Sequence, residues 1–184
     1  MIDKKSTVTV HMVASLDGYI AKADHSVEWM LTSDHYVSGK ELTDEDVQDF
    51  LSHIDCYVMG SKTYETALAL GWPYGDKPVY VLTSRKLPIE RDTVVLSNAS
   101  LRELFEETLM LKFERIWIVG GAALTKSALK EGIIDEIVIS FLPVLLGSGL
   151  HFFDEVGVEQ KLHLKEHVAY NNGMVEMTYE ILKG

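Results

Sequence analysis

Residues 115–132, "RIWIVGGAALTKSALKEG", decide the fold class. Ile116, Trp117, Ile118 and Val119 form an apolar run that reads as a buried strand. Ala122, Ala123, Leu124, Ala128 and Leu129 then recur as one face of a helix. The period switches across just two residues, Gly120 and Gly121, and two readings of that pair are open. A tight turn needs φ > 0, which glycine adopts freely. Glycines also let a backbone approach a phosphate, and the helix behind them offers unpaired N–H groups and a positive dipole end.

The same alternation runs outward in both directions. Residues 7–13, "TVTVHMV", read as a first strand, and "SLDGYIA" follows with Asp17-Gly18 as its breaker. "TDEDVQDFLSHI" opens on Thr43 as an N-cap and carries acids in its first turn, where a helix dipole favours them. "CYVMG" is a short buried strand, "SKTYETALAL" a helix after it, and "KPVYVLTSR" and "DTVVLS" are further strands. Residues 100–112 form a helix with Ser100 and Glu103 as a capping box. "DEIVISFLPVLLG" is a strand with a glycine-rich exit at residues 147–149. "KLHLKEHVAY" and "MVEMTYEIL" alternate on either side of Asn171-Asn172-Gly173, which predicts a terminal antiparallel hairpin. The expected class is therefore α/β: three layers, a mostly parallel central sheet, helices on both faces and a C-terminal antiparallel hairpin, in a single domain over residues 1–184.

A chain of 184 residues can bury a sizeable core, and 47% apolar with 24% charged residues is ordinary for a soluble globular protein. The net charge of −11 argues against a general nucleic-acid or anionic-membrane binder, while leaving room for a local basic pocket. Cys56 is the only cysteine, so no internal disulfide forms and a reducing cytoplasm is the simplest location. "MIDKKSTVTV" lacks a signal-peptide apolar region, and no apolar run approaches a membrane span.

Ligands of open α/β sheets sit beyond the carboxyl ends of strands. Three such ends carry informative residues: Gly60-Ser61-Lys62-Thr63, Thr83-Ser84-Arg85-Lys86 and Gly120-Gly121-Ala122-Ala123. Lys62, Arg85 and Lys86 would supply positive charge, and the two helix starts would hold phosphate oxygens. A dinucleotide with an extra phosphate fits better than NAD. The reader of a free ribose 2′-OH is normally Asp or Glu at a strand end, where this chain has Ser84 and Arg85.

"SLDGYIA", "MGSKTYE", "VLTSRK" and "WIVGGAAL", in this order and spacing, resemble the dihydrofolate-reductase-like superfamily. "DEIVISFLPVLLGSGLHFF" resembles the reductase domain of the bifunctional riboflavin-biosynthesis protein, which shares that fold. The resemblance covers essentially the whole chain. It implies NADPH and hydride transfer to a small heterocyclic substrate, pterin- or pyrimidine-like. On it, Gly60, Lys62 and Thr63 lie on the diphosphate and adenosine side, and Thr83, Ser84 and Arg85 hold the 2′-phosphate. Gly120, Gly121, Ala122, Ala123 and Leu124 wrap the diphosphate, and Val13, Ala14 and Ile20 lie against the nicotinamide. Gly120-Gly121 then clears room for the cofactor. The likeness to the riboflavin reductases also implies a homodimer. Two positions depart from the pattern. Ser61 stands where dihydrofolate reductases commonly carry Arg, and "YETALALGWP" follows Thr63 where riboflavin reductases carry a "VLADDP"-like part of the substrate site. The alternatives are 5-amino-6-(5-phosphoribosylamino)uracil reductase and a non-catalytic nucleotide-binding protein of the same fold.

Hydride transfer to a C=N or C=O bond needs a proton for the heteroatom. In dihydrofolate reductases an acid follows a tryptophan by five residues, the spacing of Trp29 and Asp34 here. Ser140 aligns with a hydroxyl residue that contacts that acid. Asp34 and Ser140 are the catalytic candidates by this resemblance, with Trp29 in the substrate pocket. The residues alone leave another reading of "TSDHY": a helix start with Ser33 or Asp34 as its N-cap. Asp17 is read as shaping a turn. Lys77, before Pro78, is either a substrate-carboxylate contact at the mouth or a solvated loop lysine. No metal is expected: His163 and His167 on a strand would stand about 13 Å apart, too far for one ion.

Overall fold

The computed structural model describes residues 6–153 and 155–183. Six strands run parallel: β1 (Thr7–Ser15), β3 (Cys56–Gly60), β4 (Val79–Leu82), β5 (Val94–Ser97), β6 (Arg115–Gly120) and β7 (Glu136–Leu142). The hairpin β9 (Leu162–Ala169) and β10 (Val175–Ile181) adds antiparallel to β7, completing the order β5-β4-β3-β6-β1-β7-β10-β9. Two short strands, β2 (Tyr19–Ala21) and β8 (Leu150–His151), pair separately. The helices are α1 (Asp44–Ser52), α2 (Ser61–Ala69), α3 (residues 101–112, with a π turn at Phe105–Leu109) and α4 (Ala122–Lys130). This is the three-layer dihydrofolate-reductase-like architecture expected above.

Strand alternation divides the core in two. Val8, Val10, Cys56, Val58, Ile116 and Ile118 point to one face and pack under α3 and α4 through Leu101, Leu104, Phe105, Ala128 and Leu129. Tyr57, Met59, Val79, Val81 and Trp117 point to the other and pack under α1 and α2 through Phe50, Tyr64, Ala67 and Leu68. A parallel sheet covered on both faces needs such near-continuous apolar strands. Cys56 is fully buried in the first cluster, and burial pushes its thiol up to about 12.

Local chemistry sets the helix ends. Thr43 Oγ1 accepts from the Asp46 N–H at 3.1 Å, and the Asp46 carboxylate accepts from the Thr43 N–H at 3.1 Å, so α1 begins with a full capping box. Its other end is closed by Lys77. The ammonium donates to the carbonyls of Leu51 and Ser52 at 2.8 Å each, and to that of Ile54. All three of its protons are thereby used on carbonyls at the negative end of the helix, that of Leu51 also accepting from the Ile54 N–H at 3.2 Å. The substrate-carboxylate reading of Lys77 is therefore corrected: this lysine caps α1.

Asp17 behaves as the turn former expected. Its carboxylate accepts from Ser15 Oγ at 2.6 Å and from the N–H groups of Gly147 and Leu146 at 2.7 and 3.1 Å. These bonds, Ser15 first, pull its carboxyl down to about 2 and tie the loop after β7 to the turn after β1.

Two stability measurements check these contacts. Lys77→Met should lower the folding free energy by about 1–2 kcal/mol in denaturant titrations, with substrate KM unchanged. For Asp17, the folded value near 2 lies below the unfolded value of about 3.9. Its contribution is thus complete above about pH 4 and is lost as the pH falls towards the folded value. Asp17→Asn should melt below wild type at neutral pH, and the gap should close across that acid window.

Candidate functional site

Strands β3 and β6 are neighbours, and α2 and α4 begin directly at their carboxyl ends. Their N-caps are Gly60 and Gly121; neither helix has a side-chain cap bond or an acid in its first turn. The other two helix starts differ, with Thr43 and three acids at α1, and Ser100, whose Oγ accepts from the Glu103 N–H, at α3. The first-turn N–H groups of α2 and α4 thus lack a side-chain acceptor, and both positive dipole ends face the same strand edge.

The glycines keep this edge open. A β-carbon on Gly121 would stand 3.5 Å from Thr63 Oγ1, so the two helix starts face each other closely. A β-carbon on Gly60 would meet nothing within 4 Å. Gly120 has φ +114°, a conformation that L side chains rarely adopt. Beneath it Thr125 Oγ1 is fully buried without a hydrogen-bond partner. Two uncapped dipoles, an orphaned hydroxyl and room for backbone approach fit a diphosphate. Lys62 is exposed beside this edge, Ala122 half-buried, Ala123 exposed, and Leu124 packs into the core.

At the end of β4, Thr83 Oγ1 accepts from the Arg85 N–H at 3.0 Å, and Ser84, Arg85 and Lys86 are exposed. The Arg85 guanidinium is engaged by Glu65 of α2 in a two-pronged pair, Nη1–Oε2 at 3.0 Å and Nη2–Oε1 at 2.7 Å. The pairing raises the Arg85 pKa and lowers that of Glu65. Glu65 was not among the residues read from the sequence, although it lies four positions beyond Ser61, on the same side of α2.

The floor beyond β1 is built by cross-strand register. Val13 pairs with Ser140, and Ser140 with Glu176. Ser140 is 1% exposed; its Oγ donates to Glu176 Oε2 at 2.7 Å. His11 Nε2 lies 3.2 Å from the same hydroxyl and 3.3 Å from Glu176 Oε2. The imidazole stacks on Trp117, with ring centres 5.5 Å apart, and meets Phe50 edge-on at 5.2 Å. Hydrogen bonding, His11 first, then Ser140 and Tyr170, holds the Glu176 carboxyl below the usual carboxylate range against the opposing effect of burial. Val13 is half-buried and packs with Trp29, Leu142, Tyr170 and Met174. The indole N–H of Trp29 is buried without a partner, as are His11 Nδ1 and the indole N–H of Trp117. Ala14 turns into the opposite face and is fully buried there, with Ile20 against the same cluster, so at Ala14 only the backbone faces the strand-end edge.

Asp34 does not join this floor. No helix begins at "TSDHY": a 3-10 turn at Glu28–Met30 is followed by irregular chain, and the next helix waits for the Thr43 capping box. Asp34 is exposed; its N–H donates to Thr32 Oγ1 at 3.2 Å, and its carboxylate lies where a β-carbon on Gly173 would fall, beside Pro143. Pro143 is three residues beyond Ser140, or about 10 Å by strand rise. The expected pairing of Asp34 with Ser140 is corrected: the partners of Ser140 are Glu176 and His11. Those two escaped the sequence reading because each is a single polar residue within a strand, and only the register brings them together. A cavity of about 370 Å³ also lies under α1, lined by Thr7, Thr9, Arg115 and Glu136, but it opens towards the beginnings of the strands, away from the edge described here.

Among the described residues no group of three or more His, Cys, Asp or Glu could hold a metal, and no helix is long and apolar enough to cross a membrane. Protein YwjB of Bacillus subtilis (strain 168) is 37% identical over 158 residues, 85% of this chain and 87% of the relative. A solved Shewanella sp. PV-4 structure, provisionally named for riboflavin biosynthesis, superposes with TM-score 0.82 at 26% identity, covering 96% and 99% of the two chains. A Thermotoga maritima diaminohydroxyphosphoribosylaminopyrimidine deaminase/5-amino-6-(5-phosphoribosylamino)uracil reductase shares the fold, with TM-score 0.68 and 14% identity, over 96% of this chain and 57% of its own. Residues 6–176 match the family model of the RibD C-terminal domain, and the chain belongs to that family.

Proposed function

We propose that this protein is an NADPH-dependent reductase acting on a small heterocycle of pterin or pyrimidine type. Membership of the RibD C-terminal domain family supports an oxidoreductase of the riboflavin-biosynthesis reductase type. The observation that carries the cofactor reading is the pair of acid-free helix starts at the ends of β3 and β6, each with a glycine, Gly60 or Gly121, in place of a capping side chain. When bound, NADPH supplies the hydride for a C=N or C=O carbon.

The chain's own residues divide the remaining work. The N–H groups at the starts of α2 and α4 would hold the diphosphate, with Thr63, Ala122, Ala123 and Leu124 around it. Thr83, Ser84 and Arg85 would meet the 2′-phosphate. Val13 and the backbone at Ala14 would form the bed of the nicotinamide, and the Trp29 indole N–H would meet a substrate acceptor. A phosphoribosyl substrate would need a further cation near α1. Lys77 is bonded to carbonyls there, and Lys40 pairs with Asp46 at 2.8 Å, which favours an unphosphorylated ring. The direct test is NADPH oxidation with dihydrofolate, the riboflavin pyrimidine intermediate and simple enones as acceptors. No oxidation with any of them, and no NADPH binding, would sink the reading.

Two substitutions probe the cofactor site. Gly121→Val places branched methyl groups against Thr63 and should weaken NADPH binding at least tenfold, by fluorescence titration, in a protein that melts normally. Normal affinity would leave Gly121 a turn residue only. Arg85→Ala should weaken NADPH by about ten- to a hundredfold and NADH far less, while Glu65→Gln, which removes the competing carboxylate, should tighten NADPH. Equal losses for both cofactors in Arg85→Ala would remove the 2′-phosphate from this position.

A further inference from the structure

A free ribose 2′-OH is normally met by an Asp or Glu at a strand end, and the exit of β4, Thr83-Ser84-Arg85-Lys86, has none of its own. The fold supplies one from α2. Strands β3 and β4 run side by side with Gly60 level with Leu82, so the start of α2 and the exit of β4 are neighbours. Glu65 of α2 thereby meets Arg85, and its carboxylate stands at the strand end that lacks a local acid. It lies four residues beyond Ser61, about 6 Å of helix rise, which is comparable to one sugar beyond a diphosphate held at the helix start. The Glu65 side chain keeps 46% of its surface and is open to a ligand. We propose that Glu65 is a cofactor-selecting residue: it accepts a hydrogen bond from the 2′-hydroxyl of an unphosphorylated adenosine ribose, so that the Arg85–Glu65 pair lets the site take NADH as well as NADPH. The inference rests on the cofactor reading above and deepens it by naming a second ligand for the same site.

The pair has spare capacity of both polarities. An ionised carboxylate has about four lone-pair positions, and the two guanidinium bonds, at 3.0 and 2.7 Å, use one on each oxygen. A sugar hydroxyl therefore finds an acceptor on Glu65 while Arg85 stays in place. The Arg85 hydrogen bond, with the positive charges of Arg85 and Lys62, holds the Glu65 carboxyl below its ordinary range, so near neutral pH it only accepts. A 2′-phosphate presents acceptor oxygens and negative charge, which this carboxylate repels. It must take over the guanidinium instead, and a pair about half exposed on both sides opens at small cost. The exposed Ser84 hydroxyl beside Arg85 suits both ligands, since it donates to a phosphate oxygen and accepts from a hydroxyl. The two cofactors thus draw on opposite members of one ion pair. A pair that only fastened α2 to the loop after β4 would be indifferent to the substituent on the sugar.

Adenosine 5′-diphosphate and its 2′-deoxy analogue separate these cases, because they differ only in the hydroxyl. Each is titrated calorimetrically into wild type and Glu65→Ala, with NADH and NADPH titrated in parallel by fluorescence. Alanine suits an exposed helix position, and the exposed pair it removes adds little stability, so the variant should melt with wild type. Wild type should prefer the ribose nucleotide over the deoxyribose one by about tenfold, the lower end for a hydrogen bond to a charged group. In Glu65→Ala, with the acceptor gone, that preference should fall to within about twofold. NADH should weaken in step, while NADPH should bind at least as tightly as before. Opposite signs for the two cofactors separate selection from general damage to the site. A wild type that binds NADPH without distinguishing the two nucleotides overturns the proposal, and so does a preference that survives in Glu65→Ala. Failure of wild type to bind NADPH counts against the reductase reading itself, whereas intact NADPH binding without a hydroxyl preference counts against Glu65 alone.

Discussion

β1 is hydrogen-bonded along both edges, parallel to β6 on one side and to β7 on the other, and the site inherits its geometry from that double pairing. A strand with no free edge cannot slip by one residue without turning every side chain to the wrong face. Val8 and Val10 are thereby fixed under α3 and α4, while Thr9, His11 and Val13 are fixed towards α1. The β6 pairing brings the Gly120-Gly121 junction level with the end of β1. The β7 pairing carries Ser140 to Val13, and β10 extends the row to Glu176. The register sets the helix starts and this row of side chains across the same end of the sheet, with β1 between them.

Most of the fold was legible because its signals are local. The switch of period at residues 120–121, the Thr43 cap, the Ser100 cap and the Asn171-Asn172-Gly173 turn each sit within a few residues of the element they define. The strand-end loops were legible for the same reason: a glycine between an apolar strand and a helix is visible in a short window. What could not be read were contacts over long sequence separations. Ser140 and Glu176 are 36 residues apart, and His11 and Ser140 are 129 apart. Lys77 reaches back 26 residues to Leu51, so its cap role has no local signature. The Trp29-to-Asp34 spacing was a local pattern that the fold does not use, because chain without a helix carries Asp34 past the sheet floor to Gly173.

An acidic chain must place its few cations with care. With 17 Lys and Arg against 28 Asp and Glu, an unpaired cation near the strand ends is drawn to the nearest carboxylate. Lys77 is held by helix carbonyls, Lys40 by Asp46, and Arg85 by Glu65. The exposed Lys62 and Lys86 and the uncapped first N–H groups of α2 and α4 remain at the strand edge. Backbone donors have a practical advantage here: they are fixed by the helix and cannot be neutralised by a wandering carboxylate.

Two carboxylate contacts flank the edge, and their burial assigns them different behaviour. The Arg85–Glu65 pair is about half exposed on both sides, so it gains little over hydration and can exchange Glu65 for another anion at small cost. Glu176 and His11 are far more enclosed, at 24% and 17%. There a carboxylate stripped of a partner would bear an uncompensated desolvation penalty, so the Ser140 and His11 contacts must persist whether or not a ligand is present. An exchangeable pair at the rim leaves the Arg85 guanidinium open to another anion. The Glu176 carboxylate, held by Ser140 and His11 and favoured in its ionised form by both, is instead a fixed part of the sheet that ties β1, β7 and β10 together.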